Sequence, residues 1–436
     1  MAGNKGLKTG ERTMLDKKVY ETYVRLLQDE LTMATGCTEP IAIAYAGAVL
    51  RKTMGEIPQK LDVYCSGNIV KNVLAVTVPN SGGAKGIEAA AYLGAVGGNP
   101  ERVLDVLGEV SEEDIGLTKR YVAEKRCIKH LATGVPNLYI RLEGEAGKNC
   151  ASVEIQNYHT NIVHIEHNGT VLLDASKHIG KKREEPDRSL LNIKDILEFA
   201  NTLELKDVHK TLLTQITCNK EIAEEGLKND WGASVGKTIF ESDDSLKAMA
   251  AAYAAAGSDA RMNGCPLPVV INSGSGNQGI AVSMPLYVYA RFYNIPEEKM
   301  LRSLALANLI SLHQKRFIGS LSAYCGAVSA ATAAACGIAY MLGYGYDVIC
   351  GVITNSINTT GGIICDGAKS SCASKIAASV SMALLSLEMS IKNRVFLPGE
   401  GLVEDSLEKT IESVGRMGRE GMKSTDLEIL NIMLEK

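Results

Sequence analysis

Leu321-Ser322-Ala323-Tyr324-Cys325-Gly326-Ala327 and Gly361-Gly362-Ile363-Ile364-Cys365-Asp366-Gly367-Ala368-Lys369-Ser370-Ser371-Cys372-Ala373 are the segments on which the fold of this chain turns. Their cysteines follow the pattern C-x39-C-x6-C inside a stretch, Gly319 to Ser379, rich in glycine, alanine and serine. Small side chains let backbones approach closely and supply tight turns. No residue between Arg316 and Asp347 is charged, and a run of ~20 apolar residues can cross a bilayer. Large aliphatic side chains are few in this run, however, so it reads as helices buried against other helices. Three thiolates in such a setting can hold an iron–sulfur cube with one iron left open. Free cysteines also pack as small hydrophobes. With no local C-x-x-C pair, the spacing leaves both readings open.

Composition agrees with a helical core. Of 436 residues, 46% are hydrophobic, yet only five are Phe and one is Trp, so the core relies on Ala, Leu, Ile, Val and Met. The net charge of −4 carries no basic stripe of the kind that nucleic acid requires. The polar stretch from Met1 to Lys18 has no apolar signal core, which predicts a cytoplasmic protein. In that compartment eleven cysteines are thiols or metal ligands rather than a disulfide framework. Cys65, Cys127, Cys150, Cys218, Cys265, Cys336 and Cys350 have no motif around them and read as ordinary core or surface positions. No membrane partner is expected, and a homo-oligomer is left open.

Along the chain, residues 14–33 show helical spacing through Tyr20, Tyr23, Val24, Leu27 and Leu31. Gly36-Cys37-Thr38-Glu39-Pro40 then turns into a helix from Ile41 to Met54, with Pro40 at a position where the first turn tolerates it. Cys37 therefore sits at a helix N-terminus, which favours a thiolate; a buried, inert cysteine is the other reading. After Pro58, Leu61–Cys65 and Val73–Val78 read as strands, and residues 100–132 as helical. Four short runs, starting at Leu138, Ala151, Asn161 and Val171, read as an antiparallel meander. His159, His164 and His167 fall within it and read as a solvated sheet face rather than a metal site. Lys181 to Arg188 is a charged linker, after which the chain is helical almost throughout. The predicted fold class is thus α+β. A mainly helical domain (14–56 and 186–436) is interrupted by a smaller domain (57–185) with an antiparallel sheet.

Two nucleotide-like motifs lack their context. Gly232 to Thr238 resembles a P-loop one residue short, with no strand before it. Gly274-Ser275-Gly276-Asn277-Gln278-Gly279 fits G-x-G-x-x-G, but no parallel strand follows its helix. That loop suits a carboxylate better, because Asn277 and Gln278 offer amide donors beside exposed backbone N–H groups. The loop of Asn80, Ser81 and Gly82, which leads into an Ala-rich helix, could receive a carboxylate in the same way.

Gly36-Cys37-Thr38-Glu39-Pro40, Ser275-Gly276-Asn277-Gln278-Gly279, the Cys325 and Cys365–Cys372 segments and Gly421-Met422-Lys423-Ser424-Thr425-Asp426 together resemble the L-cysteine desulfidase family. That family is related to the alpha region of iron–sulfur L-serine dehydratases. The resemblance implies a [4Fe-4S] cluster on Cys325, Cys365 and Cys372 and β-elimination from a small amino acid. It makes Cys37 the proton acceptor or, as an alternative, a fourth ligand. Lys369, between two of the expected ligands, is expected to neutralise cluster or carboxylate charge, or else to be a solvated loop lysine; His313 and Lys315 are weaker base candidates. Asn80, Ser81, Gly82, Ser275, Asn277 and Gln278 are then substrate-side residues. L-Serine dehydration and a non-catalytic iron–sulfur sensor are the competing expectations.

Overall fold

The computed structural model describes residues 15–175, 186–319 and 321–435. The polar residues 1–14 and the charged linker residues 181–185 lie outside the described residues. In chain order the first half comprises α1 (Lys17–Glu30), β1 (Met33–Thr35), α2 (Thr38–Met54), β2 (Lys60–Ser66), α3 (Gly67–Val73), α4 (Ile87–Gly97) and α5 (Glu112–Ala123). Five strands follow: β3 (Cys127–Ala132), β4 (Tyr139–Ala146), β5 (Asn149–Gln156), β6 (Ile162–His167) and β7 (Thr170–Asp174). The second half holds α6 (Ile193–Thr202), α7 (His209–Lys228), α8 (Val235–Ser242), α9 (Leu246–Met262), β8 (Pro268–Val270) and α10 (Gly276–Phe292). It ends with α11 (Glu297–Ile318), α12 (Gly326–Met341), α13 (Tyr346–Thr360), α14 (Cys372–Ile391), α15 (Leu407–Arg416) and α16 (Lys423–Leu434).

The protein is α+β, mostly helical, as the composition predicts. Its six-stranded sheet has the order β3-β2-β4-β5-β6-β7. The meander β4 to β7 is antiparallel, but β2 and β3 run parallel, so the sheet is mixed rather than wholly antiparallel. Two expected elements change type. Val73–Val78 is no strand: α3 runs through Val73 with Ile69 to Val73 all buried, and a turn follows. Cys127–Ala132, expected to be helical, is the edge strand β3. Its partner β2 lies more than sixty residues earlier (Leu61 opposite Cys127), a pairing that local periodicity cannot reveal.

Two large cores form. One gathers α2, α4 and a face of the sheet, with Ile41, Leu50, Tyr92, Leu142 and Val153 buried together. The other is helical and centres on α10, α11 and α12, whose Leu306, Ile310, Val328 and Ile338 are fully buried. The uncharged run after Arg316 becomes α12, enclosed by α10, α11, α13 and α14. Among the described residues only α14 is long and apolar enough to span a membrane, and half of that apolar stretch is buried inside the protein. β8 pairs antiparallel with β1, Met33 opposite Val270, so the glycine-rich loop before α10 does not belong to a dinucleotide-binding sheet. The P-loop-like segment opens α8 directly after α7, again without a strand before it.

Candidate active site

Cys325, Cys365 and Cys372 come from separate turns that are pinned to one another. Cys325 is the residue before α12, and its N–H donates to the Ile363 carbonyl at 3.0 Å. Cys365, in the loop between α13 and α14, donates to the Ala323 carbonyl at 2.6 Å. Cys372 opens α14, and its thiol reaches the Gly367 carbonyl at 3.6 Å. The thiols are close enough to act on one another: burial and then Cys365 push Cys325 up to about 12, and the same causes raise Cys372. Lys315, buried at the end of α11, is lowered to about 8 by burial, while Cys365 and Cys325 oppose that shift. Burial also works against the charge of Lys375, but its contact with Asp366 prevails and raises it.

Among the described residues no three His, Cys, Asp or Glu side chains converge as they would around a single ion. Ligands of a multi-iron group bind separate irons and need not converge on a point. An all-thiol donor set with the buried Lys315 and the half-buried Lys375 beside it is chemically suited to iron–sulfur binding. Lys369 turns back into its own loop, 2.5 Å from Asp366 and donating to the Gly367 carbonyl at 3.2 Å. His313 contacts Glu408 at 2.6 Å through Nε2, while its buried Nδ1 has no hydrogen-bond partner.

Cys37 lies against this group, sharing a small apolar cluster with Val76, Met262, Ala368 and Cys372. Its thiol donates to Glu39 Oε2 at 2.9 Å. The expected stabilised thiolate is therefore corrected: burial first, then the negative charge of Glu39, push the Cys37 thiol well up. Burial and a carboxylate in contact together outweigh the helix end. Burial alone would raise Glu39, but His159 and the Cys37 hydrogen bond hold it below the usual carboxylate range. Asn72 Nδ2 donates to Glu39 Oε1 at 3.0 Å, and the Thr38 hydroxyl bridges Glu39 (3.2 Å) and the Gly274 carbonyl (3.1 Å).

That bridge brings the start of α10 to the site. Ser275 precedes α10 without capping it through its side chain. Asn277 Oδ1 accepts from Arg261 Nη1 at 3.2 Å, and the buried Gln278 Oε1 has no partner. The loop after β2 and α3 is otherwise committed. Asn80 donates to the Leu107 carbonyl at 2.9 Å, Ser81 to the Ala84 carbonyl at 3.1 Å, and Gly82 faces Ile115 and Lys119. Two open surface clefts of about 500 and 560 Å³ contain none of these residues. The titratable groups meet instead in the buried seam.

Sequence reasoning missed four members of this seam. Glu39 was visible in its motif but had no role. Asn72 lies in α3, just before the run Val73–Val78 that was expected to be a strand, and was given no element or role. Arg261 lies at the end of a helix with nothing local to mark it. His159 is corrected outright: it sits in the β5–β6 turn, not on a solvated face, with Nε2 4.0 Å from Glu39.

The profile of the serine dehydratase alpha chain family matches residues 102–431, a span that includes the three clustered cysteines, His159, Arg261 and Asn277. A UPF0597 protein of Treponema denticola is 45% identical over 429 residues, covering 97% of this chain and 99% of that protein. A UPF0597 protein of Finegoldia magna is 47% identical over 418 residues, covering 95% and 100%. The chain belongs to the UPF0597 family. A third member, from Lachnoclostridium phytofermentans, is 45% identical over 417 residues. The family thus carries a serine dehydratase alpha-like region, which suggests lyase chemistry and an iron–sulfur cofactor.

Proposed function

We propose that this protein is an iron–sulfur lyase that eliminates the thiol of L-cysteine, giving sulfide, ammonia and pyruvate. The observation that carries the proposal is the gathering of Cys325, Cys365 and Cys372 beside Cys37 and its Glu39 partner. The three clustered cysteines would hold a [4Fe-4S] group, which when bound supplies a Lewis acid at its open iron for the substrate's sulfur.

The chain's own residues handle the proton. Cys37 relays the proton: as its sulfur takes the proton from the substrate Cα, its own proton moves along the existing hydrogen bond to Glu39, so that no free thiolate has to build up. The electron pair of the Cα–H bond becomes the second Cα–Cβ bond, and the Cβ–S bond breaks with its pair leaving on sulfur as hydrosulfide. The aminoacrylate tautomerises to an imine, which water converts to pyruvate and ammonia. Ser275, Asn277 and Gln278 lie on the substrate side. Asn80, Ser81 and Gly82 shape the neighbouring loop, and Lys369 holds the ligand loop through Asp366. Eleven free cysteines suit a reducing cytoplasm.

The serine dehydratase match favours a second reading, in which a hydroxyl leaves instead of a thiol. Anaerobic purification tests both. Wild type is expected to bind about four irons per chain, as a cubane does. Single Ser replacements at Cys325, Cys365 and Cys372 should lose iron, while Cys218→Ser should keep it. Equal iron in all four variants refutes the ligand set. A higher kcat/KM for L-serine than for L-cysteine selects dehydration, and no turnover of either selects a sensor.

A further inference from the structure

Arg261, one residue from the end of α9, is 2% exposed. Its Nη1 reaches Asn277, its Nε has no hydrogen-bond partner, and no Asp or Glu among the described residues forms an ion pair with it. A buried charge without a counter-charge is costly, so such groups are normally paired. Glu39 feels Arg261 electrostatically, but its two oxygens are engaged by Cys37, Thr38 and Asn72. Gly276 is required beside the guanidinium: a Cβ there would lie 2.3 Å from Nε. Gly276 is also the first residue of α10, whose first turn lacks a side-chain cap and leaves backbone N–H groups for an anion. His159 completes the surround: its Nε2 has no hydrogen-bond partner, standing 4.0 Å from Glu39, and its ring is 3.8 Å from where a Cβ of Gly274 would stand.

We infer that Arg261 binds the α-carboxylate of the substrate, with the N-terminus of α10 as the second donor, and so restricts the site to free amino acids. A guanidinium presents paired N–H donors matched to a carboxylate. Anchored there, the carboxylate sets Cα beside Cys37, whose charge environment Arg261 already shares. Pairing the carboxylate also eases loss of the neighbouring Cα proton, because less negative charge then opposes the carbanionic transition state. The owner of the carboxylate rests on the elimination proposal; the anion site itself does not.

The test uses full-length protein under anaerobic conditions, with L-cysteine, 3-mercaptopropionate (no amine) and cysteamine (no carboxylate) as probes. In wild type, 3-mercaptopropionate should compete with L-cysteine and raise the thermal midpoint, and cysteamine should do neither. Arg261→Gln should keep its iron and its midpoint, raise KM about 10- to 100-fold, the scale of a charged hydrogen bond, and lose the 3-mercaptopropionate shift. Arg261→Lys should recover part of the affinity. Asn277→Asp should pair the guanidinium internally, raising the midpoint while abolishing the ligand shift, a combination that a purely structural role would not give. If wild type never turns over L-cysteine but the shift appears and vanishes in Arg261→Gln, the elimination proposal falls and this inference stands. Wild-type KM and ligand shift in Arg261→Gln overturn it, as does loss of iron with KM unchanged.

Discussion

Gly367 separates the turn of Cys365 from Cys372, and its replacement by alanine tests how the ligand loop is held. Its φ is +92°, and a Cβ there would lie 2.1 Å from the Lys71 carbonyl oxygen and 3.0 Å from its carbon. Neither obstacle is a flexible side chain. An L residue in left-handed backbone costs about 1–2 kcal/mol, and overpacking against a fixed neighbour costs about 1–3 kcal/mol more. Gly367→Ala should therefore lose about 2–5 kcal/mol of stability, a large share of the ~5–15 kcal/mol typical of a domain. If the loop swings off α3 instead, the stability loss shrinks and iron retention falls, because Cys365 and Cys372 move with it. Urea unfolding and iron per chain, measured on one preparation, read both routes. Gly362→Ala is the control, since its Cβ would meet nothing within 4 Å. A Gly367→Ala protein with wild-type midpoint and wild-type iron would refute the account of the loop.

Cys37→Ala should keep most of the iron yet lose elimination and exchange of the substrate Cα hydrogen with solvent deuterium by about 10²–10⁴-fold, the usual contribution of a general base; wild-type exchange removes it from that role, and an altered resting spectrum makes it a ligand. Burial raises the Asp259 carboxyl to about 6 against the N–H groups that open α8, so the folded state binds its proton more tightly than the unfolded chain. Its stability contribution is thus full below the unfolded pKa near 4 and is lost as pH rises through about 6. Between those limits Asp259→Asn should gain about 1–2 kcal/mol on wild type, after allowance for screening, in denaturation midpoints measured at several pH values; parallel pH profiles would disprove it. Lys71→Met should cost about 3 kcal/mol in the same assay by stranding Asp426 of α16, the low end for a broken buried pair because Asp426 is 20% exposed; a change under about 1 kcal/mol would show the pair to be dispensable.

Much of the fold was legible where the signal is local. Pro40 marks the first turn of α2, the alternating runs after Leu138 give the meander, and the missing βαβ context correctly kept the loop before α10 out of a Rossmann unit. The errors share one cause. β3 needs β2 as its parallel partner, and α3 is defined by which of its residues are buried against distant elements. The candidate site divides the same way. Its cysteines were visible because three of them stand in distinctive glycine-rich turns. His159 and Arg261 were not, because each acquires meaning only beside Glu39 or Asn277.

The small-residue composition and the buried seam then have one explanation. α2 begins after Cys37, α10 after Ser275, α12 after Cys325 and α14 at Cys372, and in none of them does the residue before the helix cap it with a side chain. Contacts from Thr38 to Gly274, from Gly326 to Gln278 and from Cys37 to Cys372 bring these four ends together. Bulky side chains at the ends would hold them apart, whereas glycine, alanine and cysteine let them meet. Each end contributes partial positive charge and unpaired N–H groups. A substrate carboxylate is the charge that the proposed site asks such a junction to stabilise, whereas burial pushes the thiols there up. Lys315, Lys375 and Arg261 add positive side chains at its margin, and Glu39 places a carboxylate within it. That division of charge is what the proposed proton removal beside a bound carboxylate demands.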